Sequence, residues 1–310
     1  MVIIMEKVNS CIICGSKEME KRRCLIAPFI RDRINTPEKY CDLLICKKCY
    51  MAFFDYRYTE DEVAKLYYGY RDENYIAMRE KCETGYAEAH KKIVASDEVR
   101  VRKDNLEKFL RSSLRQDAKI RTVLDYGGDK GQFIPERFKN SRRYVYDISG
   151  ITTIQGVEII EDPAKKAPFD FTMCCHVLEH VSYPLEIIDE LKALTKRSGL
   201  IYLELPVLES IKEFSNIICR KEIFSQPYLF HEHINFFTLP AIKKMAAVSE
   251  VTLVNYCLKR LDFGYSKAIV LSVLIRNQKS EKKQMMTPKT DLIKNFCTLF
   301  YMKLANRYLK

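Results

Sequence analysis

Histidine is scarce in this chain, with five residues in 310. Long apolar runs are missing: no segment approaches the roughly 20 consecutive apolar residues that a membrane-spanning helix needs. The opening stretch MVIIMEKVNSC holds only Val2, Ile3 and Ile4 as an apolar run, far short of the core of a signal peptide. There is no internal repeat and no low-complexity segment. Ten glycines, ten prolines, 47% hydrophobic and 30% charged residues make an ordinary globular composition, and the length supports about two domains. The expected location is cytoplasmic.

The net charge of +11 is unevenly spread. Residues 276–310 hold nine Lys or Arg and two Asp or Glu, a net of +7, leaving +4 for the other 275 residues. The basic balance therefore describes a tail, which weakens any argument for a nucleic-acid-binding body. That tail reads as a linker followed by DLIKNFCTLFYMKLANRYLK, with Asp291 as N-cap and Leu292, Ile293, Phe296, Leu299, Phe300 and Leu304 on one helical stripe. Such a helix either docks on the body or another subunit, or lies peripherally on an anionic membrane.

Cysteine is abundant by contrast: twelve residues without a secretion signal, so pairs are read as metal ligands or small buried hydrophobes before disulfides. CIIC (Cys11, Cys14) and CKKC (Cys46, Cys49) stand 31 residues apart. Two such knuckles supply four thiolates for tetrahedral Zn2+, and four protein ligands leave no position for reacting water, so a structural zinc site is expected. The chain divides into a zinc-binding section over 1–70, a helical linker or lid over 71–119, a main section over 120–276 and the basic tail over 277–310.

In the main section, β-rich apolar runs alternate with amphipathic helical stretches, the pattern of βαβ units on a mainly parallel sheet. IRTVLDYGG reads as a strand ending in a glycine turn, with GQFIPERF opening a helix. RRYVYDIS, GVEII, FDFTMCC and LIYLELP read as further strands, and residues 86–115 and 182–199 as helices. VTLVNYCL and KAIVLSVLI lack room for a crossover and predict an antiparallel edge hairpin. VLDYGGDKGQF cannot be a dinucleotide fingerprint starting at Gly127, because Asp129 and Gln132 occupy glycine positions.

It fits the Asp-x-Gly-x-Gly-x-Gly turn instead, with Asp129 in place of the middle glycine. VLDYGGDKG, YVYDIS, FDFTMCCHVLEHVSYP and LTKRSGLIYLELP, in that order, resemble the class I S-adenosylmethionine-dependent methyltransferases. The resemblance implies an α/β fold: a Rossmann-like seven-stranded sheet preceded by a small zinc-ribbon domain with four cysteine ligands. It also implies a cofactor cradle of Asp125, Tyr126, Gly127, Gly128 and Gly131, with Asp147 and Ile148 at the ribose, Glu161 and Asp162 at the adenine, and His176 nearby.

In such a sheet the chemistry lies beyond the carboxyl ends of the strands. His176 and His180 follow strand four, while His231 and His233 in FHEHINFF follow strand five, so four of the five histidines gather at one edge. If FHEHINFF is extended, His231 and His233 share a face and Glu232 takes the other. A zinc section joined to this core is similar to the sugar C-methyltransferases and their relatives in surface-polysaccharide clusters. That likeness implies Glu232, His233, His180 and a linker tyrosine, preferably Tyr75, at the active site. It further implies a small carbohydrate or nucleotide-sugar acceptor, deprotonated with histidine assistance. Those enzymes carry a further C-terminal α/β domain, so carbon and oxygen methylation both stay open. Two rival classes stand beside this reading. A nucleic-acid methyltransferase commonly carries an (Asp/Asn/Ser)-Pro-Pro-aromatic turn where this chain has CCHV. A non-catalytic zinc adaptor would bind the cofactor without turnover.

Overall fold

The computed structural model describes residues 6–114, 119–148, 152–207 and 229–278. The tail helix expected at 291–310 lies outside these residues. Among the described residues no helix is long and apolar enough to cross a membrane.

At the centre runs the strand Thr122–Tyr126, buried at every residue. It pairs in parallel with Arg142–Tyr146 on one side and Phe169–Cys175 on the other. Arg142–Tyr146 pairs onward with the short strand Glu158–Ile159, and Phe169–Cys175 with Thr195–Val207. Thr252–Asp262 and Lys267–Arg276 complete the far edge as the expected antiparallel hairpin, the second strand pairing with Thr195–Val207. The result is a seven-stranded, Rossmann-like sheet. The chain steps outward from Thr122–Tyr126 on one side, then returns to its other side at Phe169–Cys175. That reversal opens a crevice at the strands' carboxyl ends, where ligands of such sheets bind.

Alternation along the strands divides the core into two layers. Val123, Val145, Phe171 and Met173 pack with Leu106, Phe109 and Leu110 of the helix Glu98–Ser113. Leu124, Cys174 and Leu203 pack with Ile188, Leu191 and Leu194 of the helix Pro184–Leu194, whose proline sits at its first turn, where no N–H is needed.

The N-terminal section forms a second sheet of five strands. Its centre is Met19–Ile26, Tyr40–Cys46 and Ala52–Phe54, and its two edges are Leu229–Phe230 and Asn235–Phe236. FHEHINFF thus contributes both edges of a sheet built from residues two hundred positions earlier in the chain. Arg57, 1% exposed, fastens the joint: its guanidinium donates to Asn235 Oδ1 at 2.7 Å, Ser182 O at 3.0 Å, Phe54 O at 2.6 Å and Ile234 O at 3.2 Å.

Three local expectations are corrected. GQFIPERF opens no α-helix; after the glycine turn comes only a 3-10 turn at Glu136–Phe138. Pro135 has no N–H to give and disfavours helical backbone at Ile134, while Ile134 and Phe138 still bury their side chains. Residues 86–115 form two helices, Tyr86–Val94 and Glu98–Ser113, broken where the Ser96 hydroxyl bonds back to Ile93 O at 2.6 Å. Residues 231–234 are not extended: a bend at Glu232 joins the two edge strands, so the two-residue alternation expected for His231 and His233 does not apply.

Candidate active site

The glycine turn sits where the central strand ends. Gly127, Asp129 and Gly131 have φ of 68°, 52° and 74°. Left-handed backbone suits glycine, and among other residues Asn and Asp tolerate it best, so aspartate at 129 keeps the turn's shape. Its N–H donates to Asp147 Oδ2 at 2.8 Å, tying the turn to the end of the strand Arg142–Tyr146. A Cβ at Gly127 would fall 2.5 Å from Val177 Cγ2, and one at Gly128 2.4 Å from Asp125 Cγ. Asp125 is wholly buried beneath the turn, and among the described residues neither carboxylate oxygen has a hydrogen-bond partner. Burial pushes its pKa up to about 7. A buried, uncompensated carboxylate is costly, and a cationic ligand over the turn would relieve it. This fits a sulfonium nucleoside that also carries an ammonium group.

The other residues expected at the cofactor lie around this edge. Tyr126 Oη donates to Glu190 Oε2 at 2.8 Å. Ile148 is 68% exposed beside Asp147. Asp162 accepts from Ala164 N at 3.0 Å and caps the 3-10 turn Pro163–Lys165, while Glu161 is exposed next to it.

His176 follows the strand Phe169–Cys175 directly, with a left-handed φ of 56°. It lies between two buried carboxylates: Nδ1 is 3.3 Å from Glu179 Oε1 and Nε2 is 3.3 Å from Glu204 Oε1. Burial alone would lower its pKa, but the two carboxylates reverse the shift and raise it. Glu204 also accepts from Arg102 Nε at 2.8 Å and from Tyr202 Oη at 2.9 Å. Against the cost of burial, Arg102 and His176 hold its pKa down to about 2. Arg102 and Glu204 gave little signal in the sequence, because they meet across different elements.

The bend at Glu232 sends its neighbours in opposite directions. His231 turns toward the linker helix Glu73–Cys82, stacks on Phe29 at 6.0 Å and reaches Glu83 Oε1 at 2.5 Å. Glu232 goes the same way. It accepts from Tyr75 Oη at 2.7 Å and Arg79 Nη1 at 3.0 Å. Burial would raise its pKa, yet His231, Arg79 and Tyr75 hold it far below the usual carboxylate range. Tyr75 itself is 1% exposed. His233 goes the other way and meets His180 edge to face, 4.6 Å between ring centroids. His233 is exposed as a residue, while protein atoms crowd around its imidazole. Desolvation, with His180 adding to it, lowers its pKa to about 4. His180 Nδ1 lies 3.0 Å from both Glu232 O and Tyr67 Oη. The linker tyrosine that reaches a histidine is therefore Tyr67, whereas Tyr75 reaches Glu232.

The four N-terminal cysteines converge. Cys11 Sγ is 3.5 Å from Cys49 Sγ, Cys14 Sγ is 3.5 Å from Cys46 Sγ, and all four sulfurs lie within 4.8 Å of one another. Each knuckle closes alike: Gly15 N bonds to Cys11 O at 2.8 Å and Tyr50 N to Cys46 O at 2.9 Å, both with left-handed φ. Such spacing suits tetrahedral thiolates around one ion, whose metal–sulfur bonds are about 2.3 Å. The cluster is not a free-standing ribbon, since Cys11, Cys46 and Cys49 pack in the same core as Leu203 and Ile242.

A family model described as a methyltransferase domain matches residues 96–254, just over half of the 310 residues. The chain belongs to that family. It is an S-adenosylmethionine-dependent methyltransferase of the Rossmann-like class I fold. None of the curated proteins compared with it matches in sequence. Similar solved structures include Burkholderia thailandensis 1,6-didemethyltoxoflavin-N1-methyltransferase with its substrate and S-adenosylhomocysteine (13% identity, 77% of this chain and 96% of that one, TM-score 0.46). A Methanosarcina mazei S-adenosylmethionine-dependent methyltransferase is 15% identical over 56% of this chain and 98% of its own (TM-score 0.39). Magnesium protoporphyrin IX methyltransferase from Synechocystis, with bound S-adenosylhomocysteine, is 13% identical over 57% and 82% (TM-score 0.38).

Proposed function

We propose that this methyltransferase acts on a sugar, nucleotide-sugar or glycan acceptor, at carbon or oxygen, and that His233 takes the acceptor's proton. When bound, S-adenosylmethionine supplies an electrophilic methyl for in-line displacement. Asp125, Tyr126, Gly127, Gly128 and Gly131 would hold it at the glycine turn, with Asp147 and Ile148 toward the ribose, Glu161 and Asp162 toward the adenine, and His176 alongside. The observation that carries the reading is the exposed His233 beside the His180 ring at the strand ends, 4.6 Å between ring centroids. A neutral imidazole at the reacting edge accepts a proton from a hydroxyl or an acidified carbon, where an imidazolium cannot. His180, steadied by Tyr67 and the Glu232 carbonyl, orients His233. Tyr75 fixes Glu232, and through it the bend. The carbohydrate acceptor rests on the likeness of Glu232, His233 and His180 to the sugar C-methyltransferase pattern, and a closed zinc site of four cysteines suits a structural role.

The test is His233→Ala. Affinity for S-adenosylhomocysteine should change little by calorimetry, while turnover falls roughly a hundredfold or more. Unchanged turnover rejects His233 as base. Mass-spectrometric screening of nucleotide sugars and sugar phosphates for an added methyl tests the acceptor, and transfer only to a non-carbohydrate would reject that class.

A further inference from the structure

Glu179 is 1% exposed, yet among the described residues neither of its carboxylate oxygens makes a hydrogen bond. Buried carboxylates without partners are rare, and each needs a compensating group. His176 Nδ1 lies 3.3 Å from Oε1 without hydrogen-bond geometry. On the other side stands His180. Its Nδ1 is 3.0 Å from the Glu232 carbonyl oxygen. A carbonyl only accepts, so the tautomer that satisfies it carries the proton on Nδ1, with the Tyr67 hydroxyl 3.0 Å away as a second acceptor. In the neutral ring Nε2 is then a bare lone pair, and it lies 4.0 Å from Glu179 Oε1. Two electron-rich atoms so placed repel, and the gap is too wide for one proton to bridge as a hydrogen bond. A tetrahedral ion with bonds of ~2.0–2.1 Å would hold two such ligand atoms about 3.3–3.4 Å apart, so the pair needs to close by roughly half an ångström to share one. His233 closes the third side: one ligand atom from each of Glu179, His180 and His233 falls within 4.8 Å of the other two.

We infer that Glu179, His180 and His233 form a second metal site, binding a divalent transition-metal cation of the Zn2+ type in the cleft. Two imidazoles and one carboxylate suit Zn2+ or Co2+, whereas Mg2+ and Ca2+ take oxygen ligands. A histidine whose other nitrogen donates to a backbone carbonyl has the outer-shell arrangement of metal-ligating imidazoles. Three protein ligands leave a position for water or an acceptor oxygen, unlike the closed cysteine site. The cation and a proton are alternative occupants of the His233 lone pair. The role of the open position rests on the reading of this cleft as the acceptor site; binding of the cation does not.

The probe is Co2+ titrated into the full-length protein carrying a single equivalent of zinc, held in the cysteine site, with the excess removed. Cobalt held by nitrogen and oxygen absorbs in the visible without the thiolate charge-transfer band that marks exchange into the cysteine site. One such equivalent is expected in the wild type. Glu179→Gln and His233→Ala should each weaken it at least tenfold, with the circular dichroism spectrum and the cysteine-bound metal retained. No nitrogen/oxygen equivalent in the wild type, or undiminished binding in both variants, overturns the inference. Cobalt binding lost with turnover intact keeps the cation site and rejects the catalytic role of His233. Turnover lost with cobalt binding intact does the reverse.

Discussion

Two ionisable clusters meet at the bend of residues 231–233, and they are finished to different degrees. On the linker side, Tyr75, Arg79, Glu83, His231 and Glu232 are saturated: the Glu232 carboxylate takes a tyrosine and an arginine, and that arginine also takes Glu83. Aromatic faces of Phe29 and Tyr86 close over Arg79 at 5.2 and 4.1 Å. On the sheet side, among the described residues, the Glu179 oxygens make no hydrogen bond and have only the His176 ring nitrogen at 3.3 Å and that of His180 at 4.0 Å, while His233 is exposed. A saturated network resists any new partner and fixes geometry, whereas an unsaturated one is ready to bind. The scaffold and the chemistry of FHEHINFF are thus divided between adjacent residues.

Arg79→Met should break the first cluster with the largest effect. It leaves Glu232 with Tyr75 and the His231 ring, without its arginine, and removing one partner of a buried pair costs about 3 kcal/mol. Urea unfolding measures this, and a loss below about 1 kcal/mol would mean the network is not structural. The second cluster should respond in the opposite way: His233→Ala, with its roughly hundredfold loss of turnover, should leave the unfolding midpoint nearly unchanged. Tyr75→Phe removes one charge-assisted hydrogen bond and should cost about 1.5–2 kcal/mol with turnover kept within tenfold. Abolished turnover in a folded Tyr75→Phe enzyme would move Tyr75 into the chemistry and erase the division.

The pH response sharpens the same contrast. His233 has a folded pKa of about 4, below the 6.5 of a free imidazole. It binds its proton more weakly folded than unfolded, so its contribution to stability is complete above about 6.5 and declines as pH falls toward 4. The acidic limb of kcat/KM should accordingly lie well below pH 6.5. A limb at 6.5 or above would show that the base is not this desolvated imidazole. The smallest effect is expected at the turn. Asp129→Gly relieves a left-handed residue, worth about 1 kcal/mol, but loses the bond from Gln132 Nε2 to Asp129 Oδ2. Cofactor affinity by calorimetry should stay within about threefold, and a larger loss would give the Asp129 side chain a direct part in binding.

Much of the fold was legible because its signals are local. FDFTMCC is a strand over its full predicted length, the late hairpin pairs as the missing crossover required, and the two CxxC pairs close into one cluster. GQFIPERF forms only a 3-10 turn because Pro135 lacks an N–H and disfavours helical backbone at Ile134. Arg102 and Arg57 were not legible as site residues, and Tyr67 only as one of several linker tyrosines beside the preferred Tyr75. Arg102 meets Glu204 across 102 positions, Arg57 meets Asn235 across 178, and Tyr67 meets His180 across 113; no pattern within a segment reports such pairings.

The order of strands, the glycine turn, the cysteine knuckles and the gathering of histidines at one sheet edge were determined by the sequence alone, since periodicity, backbone freedom and ligand spacing act over a few residues. Only the tertiary structure decided which way each side chain of His231, Glu232 and His233 faces. Their bend is set by two edge strands borrowed into the N-terminal sheet, and such pairings depend on contacts between distant parts of the chain.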